Sequence, residues 1–493
     1  MEVSVSETVV IGGGLGGLAA AITLAAHGRR VTLIEQNERL GGKLNLVEAD
    51  GFRFDTGPSL LTMPWVLREL FALAGSHLED ELTISPVDPL CRYWWRDGTR
   101  FDMAQDLPQL AQAITRLEPG DVAGFTRFLA YSGRIYAAVA EPFLIRPFGG
   151  LRDMLNYRLV RDAAAIDSLR TVDQSLGEFF RSPYLRQVFN RYATYNGSSP
   201  YRAPATFNLI AYVELMQGGW HVHGGMYQIA RALERTARRL GVTIHCNTAA
   251  ERILIHRGRV AGVALAGGEQ LITDTIIANV DPRYVATTLL GGSLAAPAGE
   301  LSYSGFVLML GVDGQYPELQ HHNIFFAADY RREFAAITRH GVPYPDPTIY
   351  VCAASVSDPQ LAPPGCSNLF ILVNAPSSSR VNWEREAPAY RDLVLRKLEA
   401  CGLVGLERRI MIARMMTPAD IAARYNAPGG AIYGLASNRP WSAFLRPAQR
   451  SAALGGLYYA GGGTHPGGGI PLVLLSGRNA AHHLLHDTRP RIL

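Results

Sequence analysis

The sequence predicts an α/β protein built on a Rossmann-like, dinucleotide-binding domain, because three stretches of the chain share one pattern. Near the start, the β-branched run at residues 9–11 passes directly into glycines and then into a helix of small residues. A second apolar strand at residues 31–34 ends at an acidic residue. Near the end, at residues 457–472, an apolar strand again runs into glycines that precede a helix. Strands that turn sharply into helices are the units of such a fold.

The first glycine turn has the G-x-G-x-x-G spacing of a pyrophosphate-binding loop. Gly12, Gly14 and Gly17 occupy the three glycine positions. The first permits a tight turn, the second lets a phosphate approach the backbone, and the third lets the helix pack closely on the strand. The helix N-terminus adds free N–H groups and partial positive charge. Glu35 ends the second strand at the distance expected for a carboxylate that binds ribose. The alternative is an ordinary α/β turn with a surface glutamate.

Two loops follow the second strand, and we expect both to wrap an extended dinucleotide. Gly42 closes a double glycine that lets backbone approach a ligand, and Lys43 can reach a phosphate. The Asp-Thr-Gly-Pro-Ser segment at residues 55–59 has the composition of a turn between a strand and a helix. The alternative is a pair of ordinary surface loops.

Size and composition limit the classes of function. A chain of 493 residues predicts two domains or one interleaved pair. The net charge of +4, from 47 basic and 43 acidic residues, is too small and too scattered to indicate a nucleic-acid partner. Charged residues make up 18%, below the usual share of about 25%, which indicates a large buried volume or an apolar surface.

Cysteines and histidines predict neither a disulfide framework nor a metal site. The five cysteines contain no C-x-x-C pair, so we expect a reduced, cytoplasmic protein. His221 and His223 alternate along an extended segment, but two histidines without a third ligand make a poor metal site. Residues 8–28 carry no charge, yet their glycines argue against a membrane-spanning helix, so any membrane contact is expected to be peripheral.

The middle of the chain has two interpretations. Residues 106–215 have a mostly helical pattern rich in aromatic residues, with arginines interspersed near residues 146–161. One interpretation is a helical core with a solvated basic face. The other is a membrane-contacting part at residues 125–165, where apolar groups enter the bilayer and arginines meet anionic headgroups.

The whole chain resembles the flavin-containing amine oxidase superfamily and, within it, bacterial carotenoid desaturases of the phytoene desaturase type. The resemblance rests on the Gly-Gly-Lys loop at residues 41–43, the Phe-Asp-Thr-Gly-Pro segment at 54–58 and the Arg-Tyr-Ala-Thr-Tyr run at 191–195. Its most specific motif is Gly-Thr-His-Pro-Gly-Gly-Gly-Ile-Pro at residues 463–471.

The resemblance implies an FAD-binding domain with an interleaved α+β substrate domain of the amine oxidase or GDI type. Residues 1–85, 218–285 and 431–493 would form the FAD domain, and residues 86–217 and 286–430 the substrate domain. The backbone of Ala250 would contact the adenine, and N–H groups near Ile470 and Leu472 the flavin pyrimidine. The motif and the resemblance together predict these FAD contacts: Gly12, Gly14, Gly17, Glu35, Gly42, Lys43, Gly57, Pro58, Ser59, Leu60, Ala250, Asp281, Gly462, Gly463, Ile470 and Leu472.

The implied function is FAD-dependent desaturation of a long apolar polyene, phytoene or a related carotenoid, by hydride transfer to flavin and proton loss from the neighbouring carbon. The sequence identifies no catalytic side chain, and we expect His465 to make a structural hydrogen bond. Hydroxycarotenoid 3,4-desaturases and diapophytoene desaturases are alternatives. A flavin amine oxidase is a further alternative, which is weakened because Gly462 stands where amine oxidases usually have glutamate. A non-enzymatic carrier is the last alternative, since Rab GDP-dissociation inhibitors share this fold. The implied partners are the carotenoid and the inner face of the cell membrane, whereas oligomeric state and electron acceptor, oxygen or quinone, stay open.

Overall fold

The described residues form two large sheets and three smaller ones, with helices packed around them. The computed structural model describes residues 7–147, 165–377, 380–440, 442, 444 and 446–489. The strands are β1 Thr8–Ile11, β2 Val31–Ile34, β3 Leu46–Ala49, β4 Phe52–Asp55, β5 Ile84–Pro86, β6 Cys91–Trp94, β7 Arg100–Met103, β8 Trp220–Val222, β9 Thr243–His245, β10 Ala250–His256, β11 Arg259–Leu265, β12 Gln270–Ile272, β13 Ile276–Ala278, β14 Ser304–Val312, β15 His322–Phe325, β16 Ile349–Cys352, β17 Ser367–Ala375, β18 Ile410–Met416 and β19 Leu457–Tyr459. The three smaller sheets are β3-β4, β5-β8 and β10-β11-β12.

The α-helices connect these strands and cover the sheets. Their bounds are α1 Leu15–Ala26, α2 Trp65–Leu73, α3 Leu78–Glu81, α4 Leu107–Leu117, α5 Val122–Val139, α6 Val172–Leu176, α7 Pro183–Asn190, α8 Leu209–Gln217, α9 Gln228–Arg239, α10 Pro282–Tyr284, α11 Tyr330–Ala335, α12 Trp383–Ala400, α13 Leu406–Arg409, α14 Pro418–Tyr425 and α15 Ile470–Asp487.

The first sheet is parallel and has the strand order β19-β13-β1-β2-β9. The central strand, β1, pairs through Val9 with Ile276 of β13 and with Thr32 of β2. Strands β1, β2 and β13 are buried along their whole length, which explains their continuous apolar sequences. Helix α15 lies against α1, where a Cβ on Gly477 would come 1.9 Å from the Gly16 carbonyl oxygen. The two ends of the chain therefore meet in one layer.

The second sheet has seven strands in the order β18-β14-β17-β16-β15-β6-β7, antiparallel except for the β15–β6 pair. Its central strands, β14 and β17, are mostly buried. Helix α12 packs on it, with the ring of Trp383 stacked 5.6 Å from that of Phe306. The strands of this sheet come from residues 86–217 and 286–430, whereas those of the parallel sheet come from the three predicted cofactor-domain segments. The exact domain boundaries stay predictions.

The sequence pattern predicts one helix over residues 65–85 and another over Pro388–Cys401, and both have different bounds in the structure. The helix expected over residues 65–85 divides into α2 and α3, because Gly75 takes a left-handed φ of 73° between them. The helix expected from residue 388 begins earlier, at Trp383, since the Asn382 side chain accepts a hydrogen bond from the Arg385 N–H and the Trp383 ring packs on the sheet.

The aromatic side chains at the start of the candidate membrane-contacting part are internal. Phe125, Phe128, Tyr131 and Phe143 are buried, and the Phe128 ring lies 4.7 Å from that of Phe189. These aromatics therefore fit the helical-core interpretation. Residues 148–164, which carry several of the interspersed arginines, lie outside the described residues. Among the described helices, none combines the length and the apolar run needed to cross a bilayer.

Candidate active site

A cavity of about 580 Å³ lies over the carboxyl ends of strands β1, β2, β13 and β19, where ligands bind in open α/β sheets. All the predicted FAD contacts line this cavity except Gly17 and Glu35. Segments at residues 11–16, 41–44, 57–60, 279–281 and 460–473 thus come together although they are distant in sequence.

The first glycine loop is shaped by contacts that leave no space for a side chain. Gly12 has a left-handed φ of 96°, and a Cβ there would lie 2.8 Å from the Asn279 carbonyl oxygen. A Cβ on Gly17 would lie 2.1 Å from the Gly12 carbonyl oxygen, so α1 approaches its preceding strand only because this residue is glycine. At Gly14 the nearest atom is Nδ2 of Asn279, at 2.9 Å.

Glu35 fastens this loop to the end of β2. Its buried carboxylate accepts hydrogen bonds from the Gly13 N–H at 2.8 Å, from the Asn37 N–H at 2.9 Å and from the Asn37 side-chain amide at 2.8 Å. The carboxylate lies behind the cavity lining, whereas Asn37 forms part of that lining. A ribose contact of Glu35 stays a prediction, and Asn37 is a neighbour that the sequence reasoning missed.

Lys43 and Asp281 place opposite charges at the cavity. The Lys43 ammonium donates a hydrogen bond to the Ile432 carbonyl oxygen at 2.5 Å. Burial lowers the pKa of Lys43 to about 8, and the negative charge of Asp281 acts in the opposite direction. Burial also raises the pKa of Asp281, whose carboxylate accepts the Arg283 N–H at the start of α10. The environment of Lys43 favours a bound anion, because an anion would stabilise the buried ammonium and raise its pKa.

The second glycine cluster ends at the N-terminus of α15, which points its free N–H groups and partial positive charge at the cavity. Arg446, which the sequence reasoning missed, stabilises this cluster through hydrogen bonds. Its guanidinium donates to the Tyr433 and Gly462 carbonyl oxygens, both at 2.9 Å, and to the Asn196 side chain at 2.8 Å. Burial lowers the pKa of Arg446 to about 10. No periodicity or motif marks this arginine in the sequence.

His465 makes the structural contact that the sequence predicts. Its Nε2 lies 2.5 Å from the Phe143 carbonyl oxygen, while its own carbonyl oxygen accepts from Gln449 and Ser476. Burial lowers the pKa of His465 to about 4, so the ring is neutral at pH 7. A neutral ring that is hydrogen-bonded in this way orients the loop between β19 and α15.

The rest of the cavity is an apolar chamber between the two sheets. Its apolar and aromatic lining includes Met63, Val139, Phe143, Leu144, Phe207, Ile210, Val213, Tyr303, Ile324, Tyr330, Phe370, Leu372 and Phe444. A chamber of this composition can hold a long hydrocarbon and exclude water from it.

Two hydrogen-bonded polar groups stand out among the polar side chains of the chamber wall, which also include Thr206, Thr348 and Asn374. Arg191 is buried and its guanidinium donates to the Glu214 carboxylate at 3.4 Å and to the Tyr195 hydroxyl at 3.1 Å. Glu214 accepts from the Tyr195 hydroxyl at 2.5 Å, so the two buried charges compensate each other, although Nε of Arg191 has no hydrogen-bond partner among the described residues. The Arg-Tyr-Ala-Thr-Tyr run indicated this segment, but nothing indicated the distant Glu214.

The second polar group is a chain of hydrogen bonds. The Tyr350 hydroxyl lies 2.5 Å from the Ser59 hydroxyl and 2.7 Å from Nδ1 of His322. Burial lowers the pKa of His322 to about 3, so its ring is neutral. The wall of the chamber thus offers hydroxyl groups and a neutral imidazole rather than a strong base.

The site fits a dinucleotide cofactor on three structural grounds. Two helix N-termini, those of α1 and α15, face one cavity. The glycine backbone at residues 12–14 and 41–42 is open to it, and Lys43 supplies a cation. The sequence matches the family model for flavin-containing amine oxidoreductases over residues 15–306.

The chain belongs to the flavin-containing amine oxidoreductase family. This flavoenzyme is 39% identical to a 4,4'-diapolycopene oxygenase of Methylomonas sp, over 98% of each chain. It is 35% identical to a 4,4'-diaponeurosporene oxygenase of Staphylococcus aureus, over 96% of this chain and 97% of the relative. A triple mutant of putrescine oxidase has the same fold, with a TM-score of 0.65, 13% identity and coverage of 98% and 99%.

These findings confirm the predicted fold class, a flavin cofactor and an oxidoreductase of the superfamily that the motifs indicated. The individual cofactor contacts stay predictions, although most of them lie on one cavity wall.

Proposed function

We propose that this flavoenzyme uses FAD to oxidise a long apolar polyene of the carotenoid class. The observation that carries the proposal is that one cavity joins a dinucleotide cradle to an apolar chamber. Bound flavin supplies a two-electron acceptor for the oxidation of a C–H bond. The protein positions the polyene against the flavin and excludes water from the reacting C–H bond.

FAD, rather than a flavin mononucleotide, is supported by the extent of the cradle. The loops that suit a pyrophosphate and an adenosine lie at Gly12, Glu35 and Ala250, whereas the N-terminus of α15 lies at the other glycine cluster. A flavin mononucleotide would leave the region around Gly12, Glu35 and Ala250 without a ligand. Chromatography of the flavin released on denaturation tests this assignment, and riboflavin phosphate in place of FAD would contradict it.

The names of the two relatives, together with polar points of the chamber wall, favour oxidation at an end of the polyene. Both proteins are called oxygenases, one of 4,4'-diapolycopene and one of 4,4'-diaponeurosporene, so their names favour the addition of oxygen over desaturation. In this chain, the Arg191 and Tyr195 group and the Tyr350 chain are polar points of a mostly apolar wall, which also includes Thr206, Thr348 and Asn374. Hydroxyl donors of this kind can hold an oxygen atom on a terminal carbon while the apolar lining holds the hydrocarbon. We therefore infer oxidation of a terminal methyl group as the favoured reaction.

Desaturation of phytoene or a related carotenoid is the second candidate. The motif at residues 463–471 that resembles the desaturases lies on the cavity wall. Desaturation removes a hydride and a proton from neighbouring carbons and needs no strong base, in agreement with the neutral His465 and His322. Amine oxidation is disfavoured by the apolar chamber and by Gly462 in place of glutamate.

Expression in separate hosts that accumulate phytoene, lycopene or 4,4'-diaponeurosporene distinguishes these reactions. Terminal oxidation gives products that contain oxygen, whereas desaturation gives products that lack pairs of hydrogen atoms. Oxygen-18 gas then identifies dioxygen as the source of any incorporated atom. Unchanged pigments in every host, with soluble and flavin-loaded protein, would refute the proposal.

A matched pair of variants tests the role of the chamber wall. Tyr350→Phe removes one hydroxyl that contacts both Ser59 and His322, whereas Tyr316→Phe removes a hydroxyl at the protein surface. We expect the first to lower turnover by about tenfold with flavin content unchanged, because one hydrogen bond is lost. Equal turnover in the two variants would contradict a role of the Tyr350 hydroxyl in holding the substrate.

Delivery of an insoluble polyene supports peripheral contact with the inner face of the cell membrane. Residues Val139, Phe143 and Leu144 line the cavity just ahead of the segment that carries the arginines. We expect the protein to float with anionic vesicles in a density gradient. Recovery at the bottom of the gradient at low salt would contradict this localisation.

A further inference from the structure

A second cluster of reactive side chains begins at the chamber wall with His322 and extends behind it, away from the glycine loops. His321 precedes β15, and His322 pairs with Cys352 across the β15–β16 ladder. The rings of His321 and His322 lie 4.4 Å apart. One donor atom from each of His321, His322 and Cys352 lies within 4.8 Å of the other two, and all three residues are buried.

Each histidine of the cluster is held by one ring nitrogen and has the other one unused. Nδ1 of His321 lies 2.8 Å from the Ser357 hydroxyl, and Nδ1 of His322 lies 2.7 Å from the Tyr350 hydroxyl. Nε2 of both rings is buried and has no hydrogen-bond partner among the described residues. Unpaired buried nitrogens are costly. A ring that is oriented through one nitrogen and free at the other is the arrangement of metal-binding histidines.

The cluster also borders a small enclosed space. A cavity of about 20 Å³ is lined by His221, His321 and Cys352 among other residues, which is room for one small ion or one water molecule. His221 repeats the pattern, since Nε2 lies 3.3 Å from the Asp358 carboxylate and Nδ1 has no partner among the described residues.

We propose that His321 Nε2, His322 Nε2 and the Cys352 sulfur bind one Zn²⁺ ion. Two imidazoles and one thiolate form a borderline-soft donor set that suits zinc. Ligand atoms on tetrahedral zinc lie about 3.5 Å apart, so binding draws these donors together. The ring of His221 lies beside this set, 4.8 Å from that of His321, but its nitrogens are not among the donor atoms that lie within 4.8 Å of one another. The Cys352 S–H bond breaks as the S–Zn bond forms, and its proton leaves to solvent.

The site would fasten β15 to β16 under the chamber and, through His322, fix the Tyr350 hydroxyl. The expectation of no metal rested on His221 and His223 as an isolated pair. His223 is exposed and has no part in the cluster, whereas the folded chain adds His321, His322 and Cys352 to His221.

Cobalt titration of the holoprotein tests the proposal without any substitution. After treatment with a chelator, Co²⁺ is added and the absorbance is read in the red, where oxidised flavin is transparent, and in the near ultraviolet. We expect saturation at about one equivalent per chain, with tetrahedral bands and a thiolate-to-cobalt charge-transfer band that Zn²⁺ abolishes. The absence of either band overturns the proposal. It is also overturned if the protein takes up no metal, which would mean that the small cavity holds only water.

Variants locate the ion. His321→Gln with Cys352→Ser should abolish zinc retention, whereas His223→Gln and Cys401→Ser, which change an exposed histidine and a half-buried cysteine elsewhere, should retain it. Ser357→Ala leaves every ligand in place and should weaken zinc binding by about tenfold or more. This milder variant decides the matter if the double variant does not fold. Zinc affinity that is unchanged in Ser357→Ala and in a folded double variant overturns the assignment.

Discussion

Substitution of Gly17 by alanine should both destabilise the protein and weaken flavin binding. The new Cβ would lie 2.1 Å from the Gly12 carbonyl oxygen and 3.2 Å from Nδ2 of Asn279. That carbonyl cannot move freely, because it accepts a hydrogen bond from the Asn279 amide at 3.1 Å. Relief of the clash therefore requires α1 to move away from the strand that carries the glycine loop.

The size of the effect follows from this geometry. A carbon atom needs more than 1 Å of additional separation from that oxygen to reach ordinary contact. Forced overpacking of this kind costs about 1–3 kcal/mol in a buried site. If about 2–3 kcal/mol of this cost is lost from the free energy of flavin binding, the flavin dissociation constant rises by about 30- to 150-fold.

Gly177→Ala is the matched control, because a Cβ there meets only ordinary contacts, the nearest at 3.4 Å. Denaturant unfolding and flavin fluorescence on dilution measure the two effects in both variants. We expect the Gly177 variant to match the wild type within about 0.5 kcal/mol. A Gly17→Ala protein with the stability and flavin affinity of this control would refute the close approach of helix and loop.

Three further predictions follow from other parts of the site. Gly14→Val should purify largely without flavin, because its side chain fills the approach to the loop backbone, and an unchanged ratio of flavin to protein absorbance would contradict this. Flavin affinity should fall above about pH 8 as the Lys43 ammonium, whose pKa is about 8, loses its proton, and Lys43→Met should bind more weakly with little change between pH 7 and 9.5. Glu214→Gln should lower the free energy of unfolding in urea by about 3 kcal/mol, since Arg191 becomes an uncompensated buried charge. Addition of Arg191→Met should restore much of this loss, and a double variant as unstable as Glu214→Gln would contradict the pairing.

The sequence by itself determined the features that depend on local geometry. Gly12 needs a left-handed φ and Gly17 a close contact with the Gly12 carbonyl, and both requirements leave a glycine at a fixed spacing. Buried parallel strands similarly leave continuous apolar runs such as β1 and β13. Local signals of this type, with the motifs that carry the family resemblance, were sufficient to predict the fold class, and most of the predicted FAD contacts lie on the cavity wall.

Only the tertiary structure decided which distant side chains meet. Arg446 donates to the Gly462 carbonyl, Glu214 neutralises Arg191, and Cys352 lies opposite His322, yet no motif in the sequence indicated Arg446, Glu214 or Cys352. Their roles come from long-range pairing of strands and helices, and a single buried polar residue leaves no repeating trace in the sequence. The local chemistry of the glycine loops is encoded within a few residues, whereas the electrostatics of the chamber exists only once the two sheets have packed.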